Sequence, residues 1–391
     1  MNSRMSTYGL GLIILMTCPL MGCIEPFETE FIDFESALVI NATITNQFKH
    51  QEILVSRTYE FEEEGPTGES NAKVKVVAGN GTTYDFNETE KGKYVSNAPF
   101  SAELDIDYVL NITTEEGYSY ISDEVQLSNF TKIDSLYAER MTTDLGEEGM
   151  GIMINSFDAT NSSKYYRYEY EETYRIVAPR FVGRDLVAGP EGWLFPGRPI
   201  DEKTCYSTDF SNRIILTDTE DLSEDRLSRF LVRFVNRENY IISHRYSILV
   251  RQYVQSFEAF NFYETLNNFS SSESLFSETQ PGFLEGNVFS NENQNEKVLG
   301  YFDVAAVDER RIFFDYEEFF PGEPLPPYAD PCTPSSPEED KLVNQLDLNI
   351  IKYLDTNPNP EPTTGPFFIV LRVCGDCTVL GTSEVPDFWI E

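Results

Sequence analysis

Two histidines in 391 residues, His50 and His244, leave little from which to build an imidazole-based active site or metal centre. Neither stands in a His-x-x-x-His spacing, and a lone strand histidine is usually a satisfied or exposed side chain. Tryptophan is as scarce, at two, and bases are few: 29 Lys and Arg against 66 Asp and Glu, a formal net charge of −37. Nucleic acid and anionic lipid both require clustered Lys and Arg, so neither is an expected partner. The negative charge itself reads as a solvated surface. A glycine-rich phosphate loop and a calcium loop are also missing. Gly68-Glu69-Ser70-Asn71-Ala72 lacks the final glycine of a nucleophile elbow and does not lie between a strand and a helix. A glycosidase pair has no distinguishing position among so many carboxylates. No catalytic residue, cofactor site or metal site is expected, and the chain is read as a non-enzyme.

Long apolar runs are absent except at the start, where Leu10, Leu12, Ile13, Ile14, Leu15 and Met16 follow the single charge of Arg4. The run is too short to span a membrane and has the layout of a secretory signal. It ends in Leu20-Met21-Gly22-Cys23, which resembles the lipobox of bacterial lipoproteins. That resemblance implies a signal peptide over residues 1–22, diacylglycerol on the Cys23 thiol and acylation of the new amine. Residues 23–36 form an acidic tether with Glu25, Glu28, Glu30, Asp33 and Glu35. Acids there are similar to the export signal that sends Bacteroidota lipoproteins to the outer face of the outer membrane. The expected location is therefore the outer membrane, lipid-anchored, at the cell surface, with a periplasmic-facing anchor as the alternative.

Six cysteines are present. Cys18 falls in the signal and Cys23 is the anchor. Cys205, Cys332, Cys374 and Cys377 are disulfide candidates in an oxidising compartment. Joining Cys374 to Cys377 would close a very small loop and restrain little of the unfolded chain. Each of that pair is expected to reach one distant partner, Cys205 or Cys332, with the choice open. A four-cysteine zinc site is the alternative. A redox Cys-x-x-Cys lacks its surrounding βαβ pattern.

What is abundant is Tyr (22) and Phe (29) in short alternating runs, which favours strands. The fold class expected is mainly β: an immunoglobulin-like or prealbumin-like β-sandwich over 37–127, then a larger β-rich domain over 128–391 with two helices. Leu38 to Ile44, Ile53 to Ser56 and Ala72 to Val77 are early strands, and Asn80-Gly81 marks a hairpin. The acidic stretch starting at Glu60 is a loop. In the strand Lys164 to Val177, Tyr166, Tyr168 and Tyr170 share one face while Tyr165, Arg167 and Glu169 share the other. The tyrosine row fits a buried face or, alternatively, a sugar or peptide groove. Ser256 can cap a helix over 257–269 with a stripe of Phe257, Phe260, Tyr263, Leu266 and Phe269. Strands follow at Val298 to Val304 and Arg311 to Phe314. Ser336-Pro337-Glu338-Glu339 looks like a capped start for a second helix near 337–354, with Leu342, Leu346, Ile350 and Leu354 along one face. Phe388-Trp389 is expected to pin the terminus to the core.

Cys205-Tyr206, Leu222-Ser223-Glu224-Asp225-Arg226, Tyr246 through Tyr253, Gly286-Asn287-Val288, Val298 through Phe302, Cys374-Gly375-Asp376-Cys377-Thr378 and Pro386-Asp387-Phe388-Trp389 occur in that order. Together they resemble the Bacteroidota lipoprotein family catalogued as domain of unknown function 4249. The family's opening strand is here Leu38-Val39-Ile40-Asn41-Ala42-Thr43-Ile44, with Asn41-Ala42 in place of the usual acid-glycine pair. Members have no known biochemical function, and their genes tend to neighbour TonB-dependent receptors. The resemblance implies an accessory or substrate-capture lipoprotein beside such an outer-membrane transporter. An adhesion or envelope-structural module is the alternative, and an extracellular hydrolase a more distant one.

Overall fold

A computed structural model describes residues 36–59, 65–271, 284–361 and 363–391. The signal peptide, Cys23, nearly all of the tether and the acids at 60–64 lie outside the described residues.

Alternation builds the first region. In β1 (Leu38–Thr45) Leu38, Ile40, Ala42 and Ile44 point inward while the residues between them are more exposed. The same period runs through β2 (Glu52–Arg57), β4 (Lys73–Ala78), β6 (Lys93–Ser96), β7 (Asp107–Thr113) and β8 (Ser119–Ser122). Shorter or more exposed members are β3 (Thr67–Gly68), β5 (Thr83–Glu90) and β9 (Val125–Gln126). Gly81, at φ +88°, turns the chain between β4 and β5, and Asn80 Oδ1 accepts the Thr82 N–H at 2.9 Å.

The second region contains β10 (Ile133–Thr142), β11 (Glu148–Asp158), β12 (Tyr165–Val177), β13 (Val187–Gly189) and β14 (Gly192–Leu194). After these come β15 (Thr204–Phe210), β16 (Ile215–Asp218), β17 (Asp225–Asn236) and β18 (Arg245–Gln255). Helix α1 (Phe257–Ser271) then leads to β19 (Val288–Ser290) and β20 (Val298–Asp315). Helix α2 (Glu339–Asp347), β21 (Ile351–Thr356) and β22 (Phe367–Leu371) complete the order. Beside a three-stranded sheet, β10-β11-β17, and two hairpins, one large sheet runs β15-β12-β18-β20-β1-β2-β6-β5-β4-β7-β8-β19.

Strand β20 joins the two regions. Its first half, Val298 to Ala305, pairs in parallel with β1; its second half, Ala306 to Asp315, pairs antiparallel with β18. The sequence pattern gives two strands here, Val298 to Val304 and Arg311 to Phe314, but residues 305–310 continue the one strand between them. The charges do not interrupt it because neighbours take them up: Arg251 meets Glu309 at 3.1 Å and Arg311 meets Glu171 at 2.8 Å. Val288, Val298, Phe302 and Val304 enter the same apolar cluster as Leu38, Ile53, Val76 and Leu110. Downstream chain thus completes the core of the first region.

The larger core lies between one face of β12, β18 and β20 and the β10-β11-β17 sheet. Tyr166 and Tyr168 are fully buried there and Tyr170 nearly so; Tyr168 stacks on Phe230 at 5.2 Å. The buried-face reading therefore holds for Tyr166 and Tyr168, while Tyr170, at the end of the row, also borders two cavities.

The second helix is shorter than expected. It ends at Asp347 because Asn349 turns left-handed at φ +52° and Ile351 to Thr356 pair with β22. Leu342 is buried, but Ile350 is exposed and Leu354 lies in a strand. Ser336 does not cap the helix; its hydroxyl donates to the Gly365 carbonyl at 2.7 Å. Trp389 is buried against Tyr206 and Phe313, with ring centroids at 4.9 and 5.7 Å.

Candidate ligand-binding cleft

Helix α1 lies across the seam between the regions. Ser256 Oγ accepts the Ala259 N–H at 3.1 Å, starting the helix as the sequence suggested. Phe260, Tyr263 and Leu266 of the expected stripe turn inward, but Phe257 is exposed, and Ala259 and Phe262 join the buried face against Tyr301 of β20. Phe260 leans on Tyr165 of β12, with ring centroids 5.1 Å apart.

Beneath the helix is a cleft of about 650 Å³. Val39 of β1, Leu299 and Tyr301 of β20, and Phe262, Tyr263 and Leu266 of α1 give it apolar walls. Gly300 sits in the wall at φ +101°, where a Cβ would lie 1.8 Å from the Ile40 carbonyl oxygen. Only glycine allows β20 to approach β1 so closely at that bend.

One end of the cleft is polar and deeply buried. The Arg167 guanidinium carbon lies 4.4 Å from the Tyr253 ring centroid and 4.7 Å from that of Tyr263. Arg167 donates to the Glu169 carboxylate, whose other oxygen accepts the Tyr253 hydroxyl at 3.0 Å. Burial works against the Arg167 charge, but Tyr263, Glu169, Tyr253 and Asp303 outweigh it and hold the group's pKa above its ordinary value. Behind it Asp303 is buried and accepts from Gln255 Nε2 at 2.9 Å. Burial pushes the Asp303 carboxyl up, and Arg167 opposes that shift. Arg167 Nε, Gln255 Oε1 and Asp303 Oδ1 have no hydrogen-bond partner among the described residues. A guanidinium fixed between phenol rings does not give up its proton; it acts as a permanent positive charge.

Two neighbouring cavities differ from this one. A cavity of about 1050 Å³ shares Tyr170, Phe210 and Arg213 with it but carries Glu172, Asp209, Asp218 and Glu264. A third, of about 670 Å³, lies across α1 and is lined by Asp123, Glu124, Glu258 and Glu285 with no base. The cleft under α1 has Arg167, Arg213 and Arg251 against Glu169 alone. Apolar walls with a few fixed polar groups are the usual make-up of a small-molecule site.

Sequence reasoning had named none of these residues as a site. The one available signal was Tyr165, Arg167 and Glu169, noted as the face opposite the tyrosines. Cys23 lies outside the described residues. Cys205 bonds to Cys377 and Cys332 to Cys374, so each member of the Cys-x-x-Cys pair reaches a distant partner. The zinc alternative is corrected, since all four sulfurs are consumed in disulfides. His50 Nδ1 meets the Ser96 carbonyl at 2.7 Å, and His244 borders a small cavity with Tyr240 and Tyr328. Among the described residues no helix is long and apolar enough to cross a membrane.

The family model described as Domain of unknown function (DUF4249) matches residues 24–311. The chain belongs to this family. The whole α1 cleft falls within the DUF4249 match, whereas Cys332, Cys374, Cys377 and the closing Phe388-Trp389 lie beyond it. No curated protein matches the sequence. Among solved structures, the crystal structure of a DUF4785 family protein from Legionella pneumophila aligns at 10% identity and a TM-score of 0.18. That alignment covers 54% of this chain and 50% of the other, so this chain spans half the length of the protein it matches. A likeness of that size carries no argument about DUF4249 chains.

Proposed function

We propose that this DUF4249 chain is a lipoprotein anchored in the outer membrane through Cys23, facing the cell surface, and that it captures substrate for a TonB-dependent transporter without catalysing a reaction. The observation that carries the reading is the cleft under α1, with its apolar walls and buried, ring-clamped Arg167. In this reading the first region is an immunoglobulin-like or prealbumin-like sandwich that spaces the cleft from the anchored Cys23. The lipid confines the protein to one leaflet, and confinement beside a barrel raises the effective concentration of each for the other.

Extraction in mild detergent followed by affinity capture is expected to bring down a large β-barrel receptor. Capture that returns no barrel in several detergents overturns the transporter reading, and binding to surface polymer in its place selects the adhesion alternative. Cys23→Ser is expected to abolish incorporation of labelled lipid and to move the protein from the membrane fraction into the soluble one. Normal labelling of that variant refutes the anchor.

A further inference from the structure

The lining of the cleft under α1 holds more bases than acids, unlike the chain as a whole. The chain has 66 acids against 29 bases, yet three arginines and one glutamate line this cavity. Two of the arginines are already engaged: Arg167 by Glu169, and Arg251 by Glu309 at 3.1 Å and Glu171 at 3.6 Å. Arg213 is exposed at the mouth, and no hydrogen bond or ion pair occupies its guanidinium among the described residues. It faces a cavity whose volume, about 650 Å³, suits a small organic molecule.

We propose that the cleft binds an organic carboxylate with an apolar body, its anionic head on Arg213 and its body against Phe262, Tyr263, Leu266, Leu299 and Tyr301. A guanidinium presents paired N–H donors in the plane that a carboxylate matches. Arg167 and Arg251 are offset by their carboxylate partners, so Arg213 supplies the charge that favours an anion over an amine. Phenol and phenyl faces accept an aryl body, and Leu266 and Leu299 accept an alkyl one, so the test separates these two sources of the carboxylate. The proposal rests on the capture reading of the cleft, but its test needs no transporter.

The mature chain carrying Cys23→Ser, kept free of detergent, is titrated calorimetrically with octanoate and 3-phenylpropionate. Octanamide, 3-phenylpropanamide and octylamine serve as comparators. One site per chain is expected, with the carboxylates about ten-fold tighter than their amides and the amine weaker still. Preference for phenylpropionate or for octanoate identifies the aryl or the alkyl source. Arg213→Gln, at an exposed and unpaired position, is expected to fold normally and to erase the difference between acid and amide. Leu266→Glu is expected to weaken both acids by placing a carboxylate in the wall. Equal affinity for acid and amide in the parent, an unchanged preference in Arg213→Gln, or no binding at millimolar ligand overturns the proposal. A barrel that co-purifies with a chain that binds no carboxylate removes this inference and leaves the transporter reading standing; carboxylate binding without a barrel does the reverse.

Discussion

Among the described residues between 36 and 127 the buried polar side chains are Thr45, Gln51, Ser96, Thr114 and Ser122, all of them neutral. Beyond that point the buried set includes Asp158, Arg167, Glu172, Asp225, Asp303, Lys352 and Asp376. In the first region Gln51 is fully employed: its amide donates to the Phe100 and Gln47 carbonyls at 2.9 and 3.0 Å, and its oxygen accepts the Thr45 N–H. In the second, Glu172 holds both the Arg233 guanidinium, at 3.0 and 3.1 Å, and the Tyr246 hydroxyl, at 2.5 Å. Removing charges from water costs more than a packed apolar core would, and chains that retain them do so where geometry matters more than stability. The contrast marks the second region as the one that holds buried charge.

If that division is right, substitutions in the two regions should differ in size and in pH response. Glu172→Ala leaves a partly buried guanidinium and a fully buried phenol without their partner and should cost about 4 kcal/mol in urea unfolding. A loss below about 1 kcal/mol would rank the pair with ordinary surface ion pairs and dissolve the distinction. Ile53→Val removes one methyl group from the first region's apolar cluster and should cost about 1 kcal/mol by the same measurement, independent of pH. Asp303→Asn gives the smallest effect, but one with a characteristic sign. Burial raises the native Asp303 carboxyl above its ordinary 3.8, so between the two values the folded chain keeps a proton that the unfolded chain has released. Stability from this group is present below pH 3.8 and falls as pH rises toward the native value. Asparagine cannot ionise, so the midpoint of the variant relative to the parent should climb with pH across that window. A flat difference would mean the carboxyl is not under desolvation.

Much of the architecture could be read directly from residues. Leu38 to Ile44, the Asn80-Gly81 turn and Ser256 each act through nearest neighbours, so period and turn chemistry suffice to place them. The distant reach of Cys374 and Cys377 followed from loop size, although which partner each takes did not. Errors arose where tertiary pairing overrode local pattern. The i+4 stripe from Leu342 to Leu354 broke at Asn349 because β22 offers Ile351 to Thr356 a ladder. Residues 305–310 read as a gap because the partner of Glu309, Arg251, is remote in sequence. The cleft was invisible for the same reason: Val39, Arg167, Arg213, Tyr263 and Tyr301 come together only through the topology.

The parallel seam between β1 and β20 also sets the order in which the chain can fold. Val307 donates its N–H to Asn46 Oδ1 at 2.8 Å across 261 residues, and Leu38 lies opposite Val298. Contacts of such long range form slowly and wait on loop closure. Strand β1 is synthesised early, yet its parallel edge has no partner until some 260 further residues have followed. For that interval the chain carries an open β-edge, the kind of surface that pairs with neighbours unless it is kept apart from them.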